Sequence, residues 1–241
     1  MNIIFYMILF IIGIVVGGYW AIKSSEIPKE LDMQKIYYSN KPNEELISKI
    51  TYILIGGGSS VVLANILRVD FLKFDISNLI IYIFGMMYIS TLVLIAGIDR
   101  NYLKIDKKLI AFGIIASIVY MIYLFMVELT SIYLSTIYFS IYMILLVIDS
   151  FLLRKYAKDS YIVNLLMLLA IMLVFTDLKT LTYTLVMAVI AIGLYTVLLK
   201  IQQKRNGNKK IKLKEIPIGY FVAASNVIVL FMIRIFENYC I

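Results

Sequence analysis

The chain has 241 residues, of which 62% are hydrophobic, with a mean hydropathy of +0.93 and a formal net charge of +8. Soluble globular domains are closer to half apolar, so this composition excludes an ordinary soluble protein and predicts an integral membrane protein. Histidine is absent, and the single cysteine, Cys240, lies beside the C-terminus. These two facts exclude histidine-based triads, histidine-ligated metals and internal disulfides.

Eight apolar segments approach the length of about 20 residues that a helix needs to cross a bilayer. We therefore expect an all-α, polytopic membrane protein with a single membrane domain over residues 1–241. The first segment has no basic residues before it and no small-residue cleavage site after it, so we interpret it as a helix that is kept. The segments are Ile3–Ile22, Ile47–Leu67, Leu79–Ile98, Leu109–Val127, Ile132–Leu153, Tyr161–Thr176, Leu181–Leu199 and Ile218–Phe236.

The basic residues are distributed unevenly between the connections. The first, third, fifth and seventh connections hold 19 of the 23 lysines and arginines. Cytoplasmic loops carry the excess of basic residues, so these four connections are predicted to be cytoplasmic and both termini to lie outside. The same rule accounts for the net charge of +8, and no nucleic-acid partner is expected. We predict a multi-pass protein of the cell inner (plasma) membrane.

Asp99 is the most informative single residue, because it follows directly on the apolar run that ends at Ile98. A carboxylate at such a position is costly unless the protein uses it. Its simplest alternative role is an interfacial acid that balances Arg100 and the nearby lysines. If Asp99 belongs to an aspartyl protease site, a second carboxylate must share a proton with it, so that one acts as acid while the other activates water.

The candidate partners of Asp99 are Asp106, Asp149, Asp159 and Asp177. Asp177, in VFTDLK, follows the sixth segment and should face the outside, across the membrane from Asp99. Asp159 lies in the basic fifth connection, at the start of the sixth segment, and therefore shares the cytoplasmic face with Asp99. We predict Asp99 and Asp159 as the catalytic pair.

Four stretches resemble the type IV prepilin peptidase family of membrane aspartyl proteases. GGYWAIKSSEIP, residues 17–28, is similar to a family motif at the end of the first helix, and IPIGYFVAAS, residues 216–225, is similar to the motif that opens the last helix. GIDRNYLKIDKKL, residues 97–109, resembles the first catalytic motif, with Asp106 in the place of a proline. DSYIVNLLMLL, from Asp159, takes the place of the second catalytic motif.

This second motif departs from the family pattern G-x-G-D-x-K. Tyr156 and Lys158 replace its two glycines, and Tyr161 replaces its lysine. The separation of 60 residues between Asp99 and Asp159 is near that of the family. The loss of the glycines leaves two interpretations open, a rebuilt turn or a homologue that has lost activity.

The resemblance implies an aspartic endopeptidase that cleaves the leader peptide of type IV prepilins or pseudopilins at the cytoplasmic membrane face. The Asp99 and Asp159 carboxyls would activate a water molecule without a covalent intermediate. The short cytoplasmic loop, residues 23–47, lacks the paired C-x-x-C motifs that many family members carry there, so we expect neither zinc nor any other cofactor. The expected partners are a prepilin substrate and membrane lipid.

Two other functions remain alternatives to the protease. A catalytically inactive homologue that acts as a membrane scaffold or assembly factor would explain the altered motifs. A small transporter would also use intramembrane acids, although the sequence shows no internal repeat. The GGGSS run, residues 56–60, is interpreted as a surface of small residues for close helix packing, and the lysine-rich seventh connection as a cytoplasmic loop that contacts anionic lipid.

Overall fold

The computed structural model describes six ranges of the chain and seven isolated helical residues. The ranges are residues 3–25, 42–67, 76–127, 160–176, 178–206 and 216–239, and the isolated residues are 137, 140, 141, 143, 144, 147 and 148. Every regular element among them is helical. The elements are α1 (Ile3–Ser25), α2 (Pro42–Ile66), α3 (Ile76–Tyr102), α4 (Lys107–Val127), α5 (Ser160–Phe175), α6 (Leu178–Asn206) and α7 (Ile218–Tyr239).

The all-α class is confirmed, and the apolar helices indicate a membrane-embedded protein. Four helices in the described ranges, α1, α3, α4 and α6, are long and apolar enough to cross a membrane, whereas α5 and the apolar part of α7 are shorter. The predicted count of eight spans is therefore not confirmed. The predicted fifth segment, Ile132–Leu153, lies mostly outside the described residues, as does most of the loop predicted over residues 23–47.

Three hydroxyl groups within these apolar helices bond to the backbone of their own helix. Ser90 and Thr91 in α3 donate to the carbonyls of Met86 and Met87, one turn earlier, at 2.6 and 2.9 Å. Ser117 in α4 does the same at 2.7 Å. Because a hydroxyl without a partner is costly in an apolar environment, this local bonding lets serine and threonine occupy apolar helices.

Helix α3 is the central element and contributes to two separate cores. On one side, its residues Ile89 and Val93 pack with Leu9 and Trp20 of α1 and with Leu63 of α2. On the other side, a larger core joins α3 to the helices α4, α5, α6 and α7. Its members include Leu92, Ile95, Ile110, Leu168, Ile171, Leu181, Val222 and Ala223.

Glycines bring α1 and α2 into backbone contact. A Cβ atom added at Gly13 would collide with the Gly56 carbonyl oxygen, and one added at Gly56 would lie 2.7 Å from the Gly17 Cα atom. Such close approach is typical of helix pairs in membranes, where packing replaces the hydrophobic effect. The packing role predicted for the glycines of the GGGSS run is confirmed for Gly56 and Gly57, whereas a Cβ atom at Gly58 would meet nothing within 4 Å.

A short turn joins α3 to α4. Leu103 follows the last residue of α3 with a φ of 52°, the left-handed conformation that commonly ends a helix. Asp106 then caps α4, since its Oδ1 atom accepts a hydrogen bond from the Lys108 backbone N–H at 2.9 Å. Asp106, which stands where the family pattern has proline, is thus a helix cap in this turn.

Candidate functional site

Asp99 lies inside α3, one turn before its end, and its side chain is completely buried. The helix thus continues four residues beyond the apolar segment Leu79–Ile98. The burial of Asp99 speaks against the alternative role of a surface acid that balances the basic residues of the turn. An unpaired carboxylate at such a depth would be strongly unfavourable, so its partners explain why the helix tolerates it.

One oxygen of Asp99 binds the N-terminus of α7. The Oδ2 atom accepts hydrogen bonds from the Tyr220 backbone N–H at 2.8 Å and from the Tyr161 hydroxyl at 2.9 Å. The Tyr161 hydroxyl in turn accepts from the Gly219 backbone N–H, also at 2.9 Å. The first backbone donors of a helix have no partner within the helix and carry a partial positive charge. Asp99 and Tyr161 together satisfy two of them.

The sequence of the α7 N-terminus permits this contact. Pro217 precedes the first residue of α7, where a residue without an N–H leaves no additional donor to satisfy. Gly219 brings the backbone close to the carboxylate, because a Cβ atom there would lie 3.0 Å from both Asp99 Oδ2 and Ile105 Cδ1. A larger residue at position 219 would push the helix end away from Asp99.

The other oxygen of Asp99, Oδ1, is buried and has no hydrogen-bond partner among the described residues. A carboxylate oxygen can accept at least one further hydrogen bond. The arrangement therefore holds the carboxylate in a fixed orientation by Oδ2 and leaves Oδ1 able to accept a bond from a water molecule or from a protonated carboxyl group. These are the two partners that an aspartyl protease site requires.

Neighbours of Asp99 on α3 hold the same helix end to other elements. Gly97 packs against Ser24 of α1 and Tyr52 of α2, with no room for a Cβ atom. Asn101 donates to the Ser24 carbonyl at 3.4 Å, and the Arg100 guanidinium lies 5.8 Å from the centre of the Tyr220 ring. The C-terminal turn of α3 thus contacts α1, α2, α5 and α7.

All four stretches selected from the sequence contribute residues to this region. Ser24 belongs to the first stretch, Gly97 and Asp99 to the second, and Gly219 to the fourth. Tyr161 comes from the remaining stretch, which begins at Asp159. Asp159 itself lies outside the described residues, one position before the start of α5, and Asp149 and Asp177 are also outside them.

Two contributors to the site escaped the sequence analysis. Tyr161 was noted only as a substitution for lysine, although its hydroxyl joins Asp99 to α7. Asn164, one turn later on α5, is buried and donates to the Ile105 carbonyl at 3.0 Å, which fixes the α3–α4 turn against α5. The available signal was an asparagine within the apolar run YIVNLL, because a polar amide in such a run needs a specific partner.

The described residues contain no cluster of three His, Cys, Asp or Glu side chains that could hold a metal ion. Comparisons with known proteins add no assignment to this geometry. No family model, no curated protein and no solved structure matches this chain.

Proposed function

We propose that this protein is a membrane aspartic endopeptidase of the prepilin peptidase type. Its substrate is the leader peptide of a type IV prepilin or pseudopilin, cut at the cytoplasmic face of the plasma membrane. In this proposal the chain crosses the membrane eight times, with both termini outside. Asp99 and Asp159 form the catalytic pair, and no cofactor takes part.

The observation that carries the proposal is the asymmetric environment of the Asp99 carboxylate. Its Oδ2 atom is held by Tyr161 and by the α7 N-terminus, whereas its Oδ1 atom lacks a hydrogen-bond partner among the described residues. A buried carboxylate that serves only as a helix cap would normally satisfy both oxygens. The free oxygen of Asp99 fits a group that must receive a water molecule and a second carboxyl.

A second line of support comes from the start of α5. Tyr161 contacts Asp99 directly, and Asp159 precedes Tyr161 by two residues. Two residues of chain span at most about 7 Å, so the Asp159 backbone cannot be far from the Tyr161 backbone. The contact between Tyr161 and Asp99 thus favours Asp159, among the candidate acids, as the partner.

The proposed mechanism uses one shared proton. The ionised carboxyl of the pair takes a proton from water, and the oxygen of that water attacks the scissile carbonyl carbon. The protonated carboxyl polarises the carbonyl oxygen, and a proton is then delivered to the leaving amine as the carbon–nitrogen bond breaks. The Tyr220 backbone N–H and the Tyr161 hydroxyl keep Asp99 oriented throughout, and no covalent intermediate forms.

Cleavage of a type IV prepilin by membranes that contain the full-length protein tests this proposal. We expect Asp99→Asn and Asp159→Asn each to lower the cleavage rate at least about 100-fold, the usual contribution of a general acid or base. Asp106→Asn is the matched control, because asparagine caps a helix as well as aspartate does. The mass of the processed pilin measures the reaction.

Normal processing by Asp99→Asn or by Asp159→Asn would refute the catalytic pair. Loss of processing with Asp177→Asn, while Asp159→Asn stays active, would instead overturn the membrane orientation on which the choice of Asp159 rests. An equal loss with Asp106→Asn would show that the assay responds to any change near the α3–α4 turn.

A second candidate function is an inactive homologue that acts as a membrane scaffold or assembly factor. The complete burial of Asp99 favours it, because a carboxylate that caps α7 stabilises the fold without any substrate. The two functions differ in their response to Asp99→Asn, which keeps an oxygen to accept from the Tyr220 N–H. A scaffold retains its function in this variant and loses it in Asp99→Leu, whereas a protease loses activity in both.

A further inference from the structure

A large cavity lies away from Asp99, on another face of α3. It has a volume of about 1020 Å³ and runs between α1 and α4, with α3 as its floor. Most of its wall is apolar, with Ile12 and Val16 from α1 and Met86 from α3 among the lining residues. We call it the α1/α4 groove. Its volume is at the upper end of the range for small-molecule sites.

The α1/α4 groove is separate from the candidate catalytic site. Ile98 lines the groove, whereas the next residue, Asp99, is bonded to α5 and α7. Successive residues of an α-helix point about 100° apart, so these neighbours serve different faces of α3. A peptide bond placed in the groove would not meet the Asp99 carboxylate.

One end of the groove is basic. Lys23 near the end of α1, Lys104 in the α3–α4 turn and Lys108 in the first turn of α4 all line it, and Asp106 is the one acid among its described lining residues. The groove thus combines a long apolar wall with an excess of positive charge at one end. Lysines at the ends of membrane helices lie at the level of the lipid headgroups.

Trp20 is a second, independent feature of the groove. It lines the cavity and its side chain is fully buried, yet its indole Nε1–H has no hydrogen-bond acceptor among the described residues. Buried indole N–H groups normally have an acceptor. The Trp20 ring therefore lies directly beneath the wall of the groove, close to any molecule that binds there.

We propose that the α1/α4 groove binds an anionic phospholipid, with its acyl chains along the apolar wall and its headgroup near Lys23, Lys104 and Lys108. The charge of the groove matches a phosphate better than it matches a basic peptide. Its volume also favours lipid, because a 20-residue helix of about 10 Å diameter would need roughly 2400 Å³. The proposal does not depend on the protease assignment.

Trp20 is the only tryptophan of the chain, so its fluorescence reports on this groove alone. The full-length protein would be reconstituted in phosphatidylcholine vesicles that contain increasing fractions of phosphatidylglycerol or phosphatidylcholine with brominated acyl chains. Bromine quenches tryptophan fluorescence at short range, so a lipid held in the groove beside Trp20 should quench it more strongly than bulk lipid does. We expect half-maximal quenching at a fraction of brominated phosphatidylglycerol at least about tenfold lower than for brominated phosphatidylcholine.

The triple substitution Lys23→Gln, Lys104→Gln and Lys108→Gln should abolish the preference for phosphatidylglycerol. The matched control replaces three exposed lysines outside the groove, Lys107, Lys179 and Lys200, with glutamine and should keep it. Ser90→Leu, which adds bulk to the groove, should weaken quenching by both lipids several-fold.

Four results would overturn the proposal. The first is equal quenching of the unmodified protein by both brominated lipids, and the second is the absence of quenching by either. The third is an equal loss of lipid preference in the control triple variant, which would assign the effect to general surface charge. The fourth is unchanged quenching in Ser90→Leu, which would show that the acyl chains do not lie in the groove.

Discussion

Tyr161→Phe is the most direct test of the contact between Asp99 and the α7 N-terminus. The substitution removes one oxygen atom and keeps the aromatic ring in place. Two hydrogen bonds disappear with it, the one donated to Asp99 Oδ2 and the one accepted from the Gly219 N–H, each 2.9 Å long. The variant thus loosens α5 from both α3 and α7 without changing the packing volume.

The expected loss of stability follows from these two bonds. A hydrogen bond to a charged group contributes about 1.5 to 3 kcal/mol, and a buried N–H left without an acceptor costs about 1 to 3 kcal/mol. Gly219 is buried, so water does not readily replace the tyrosine oxygen. Since the two effects share one atom and do not add fully, we expect Tyr161→Phe to lower the free energy of unfolding by about 2 to 4 kcal/mol.

Unfolding of the full-length protein in mixed micelles with increasing dodecyl sulfate, followed by circular dichroism, measures this loss. Tyr123→Phe is the control, because the Tyr123 hydroxyl bonds only neutral groups in the described residues, with Ser77 Oγ at 2.8 Å. It should cost about 0.5 to 1.5 kcal/mol. If Tyr161→Phe costs no more than Tyr123→Phe, the bridge from Asp99 to α7 does not contribute as described.

Three further substitutions test other contacts by the same unfolding measurement. Gly17→Ala should destabilise the protein by about 1 to 3 kcal/mol, because the added Cβ atom would collide with the α2 backbone. The control Gly18→Ala should be neutral or stabilising, because a Cβ atom there meets nothing within 4 Å. Equal effects of the two substitutions would contradict the close packing of α1 and α2. Asp106→Ala should lower the free energy of unfolding by about 1 kcal/mol, because it removes the cap of α4, whereas Asp106→Asn should leave it unchanged. A loss of stability in Asp106→Asn would contradict the capping role. Asn226→Leu removes the 2.6 Å bond donated by Tyr88 and the 3.1 Å bond donated to Thr184, and should cost about 0.6 to 2 kcal/mol. No loss would show that these two buried bonds contribute nothing.

The ends of a helix were predicted closely where charged residues or proline flank an apolar run. The predicted Leu109–Val127 and Tyr161–Thr176 are within two residues of α4 and α5 at each end. The end of α3 was missed by four residues, because an acid within an apolar helix is normally too costly to predict. Its cost is offset by Tyr220, 121 residues away, and no local pattern carries that contact.

The pairing of α1 with α2 was only half predicted. The small residues of α2 were recognised as a packing surface, but their partner was not. Gly13 and Gly17 have the G-x-x-x-G spacing that marks a close helix interface, and this spacing was visible in the sequence. The role of Tyr161, in contrast, had no comparable signal, because tyrosines at the ends of membrane helices usually serve as interfacial anchors.

The burial of α3 has a consequence for how this chain tolerates change. More than half of the apolar part of α3 is buried within the protein, against 11% for α6. From Thr91 to Asp99 every residue is buried, so a side chain of different size or polarity would be unfavourable on any side of this helix. On α6, lipid adapts to whatever apolar side chain faces it, and leucine, isoleucine and valine should be interchangeable at most positions. The apolar parts of the two helices have similar mean hydropathy, 2.3 and 2.2, yet natural variation should accumulate on α6 and be nearly absent from this half of α3.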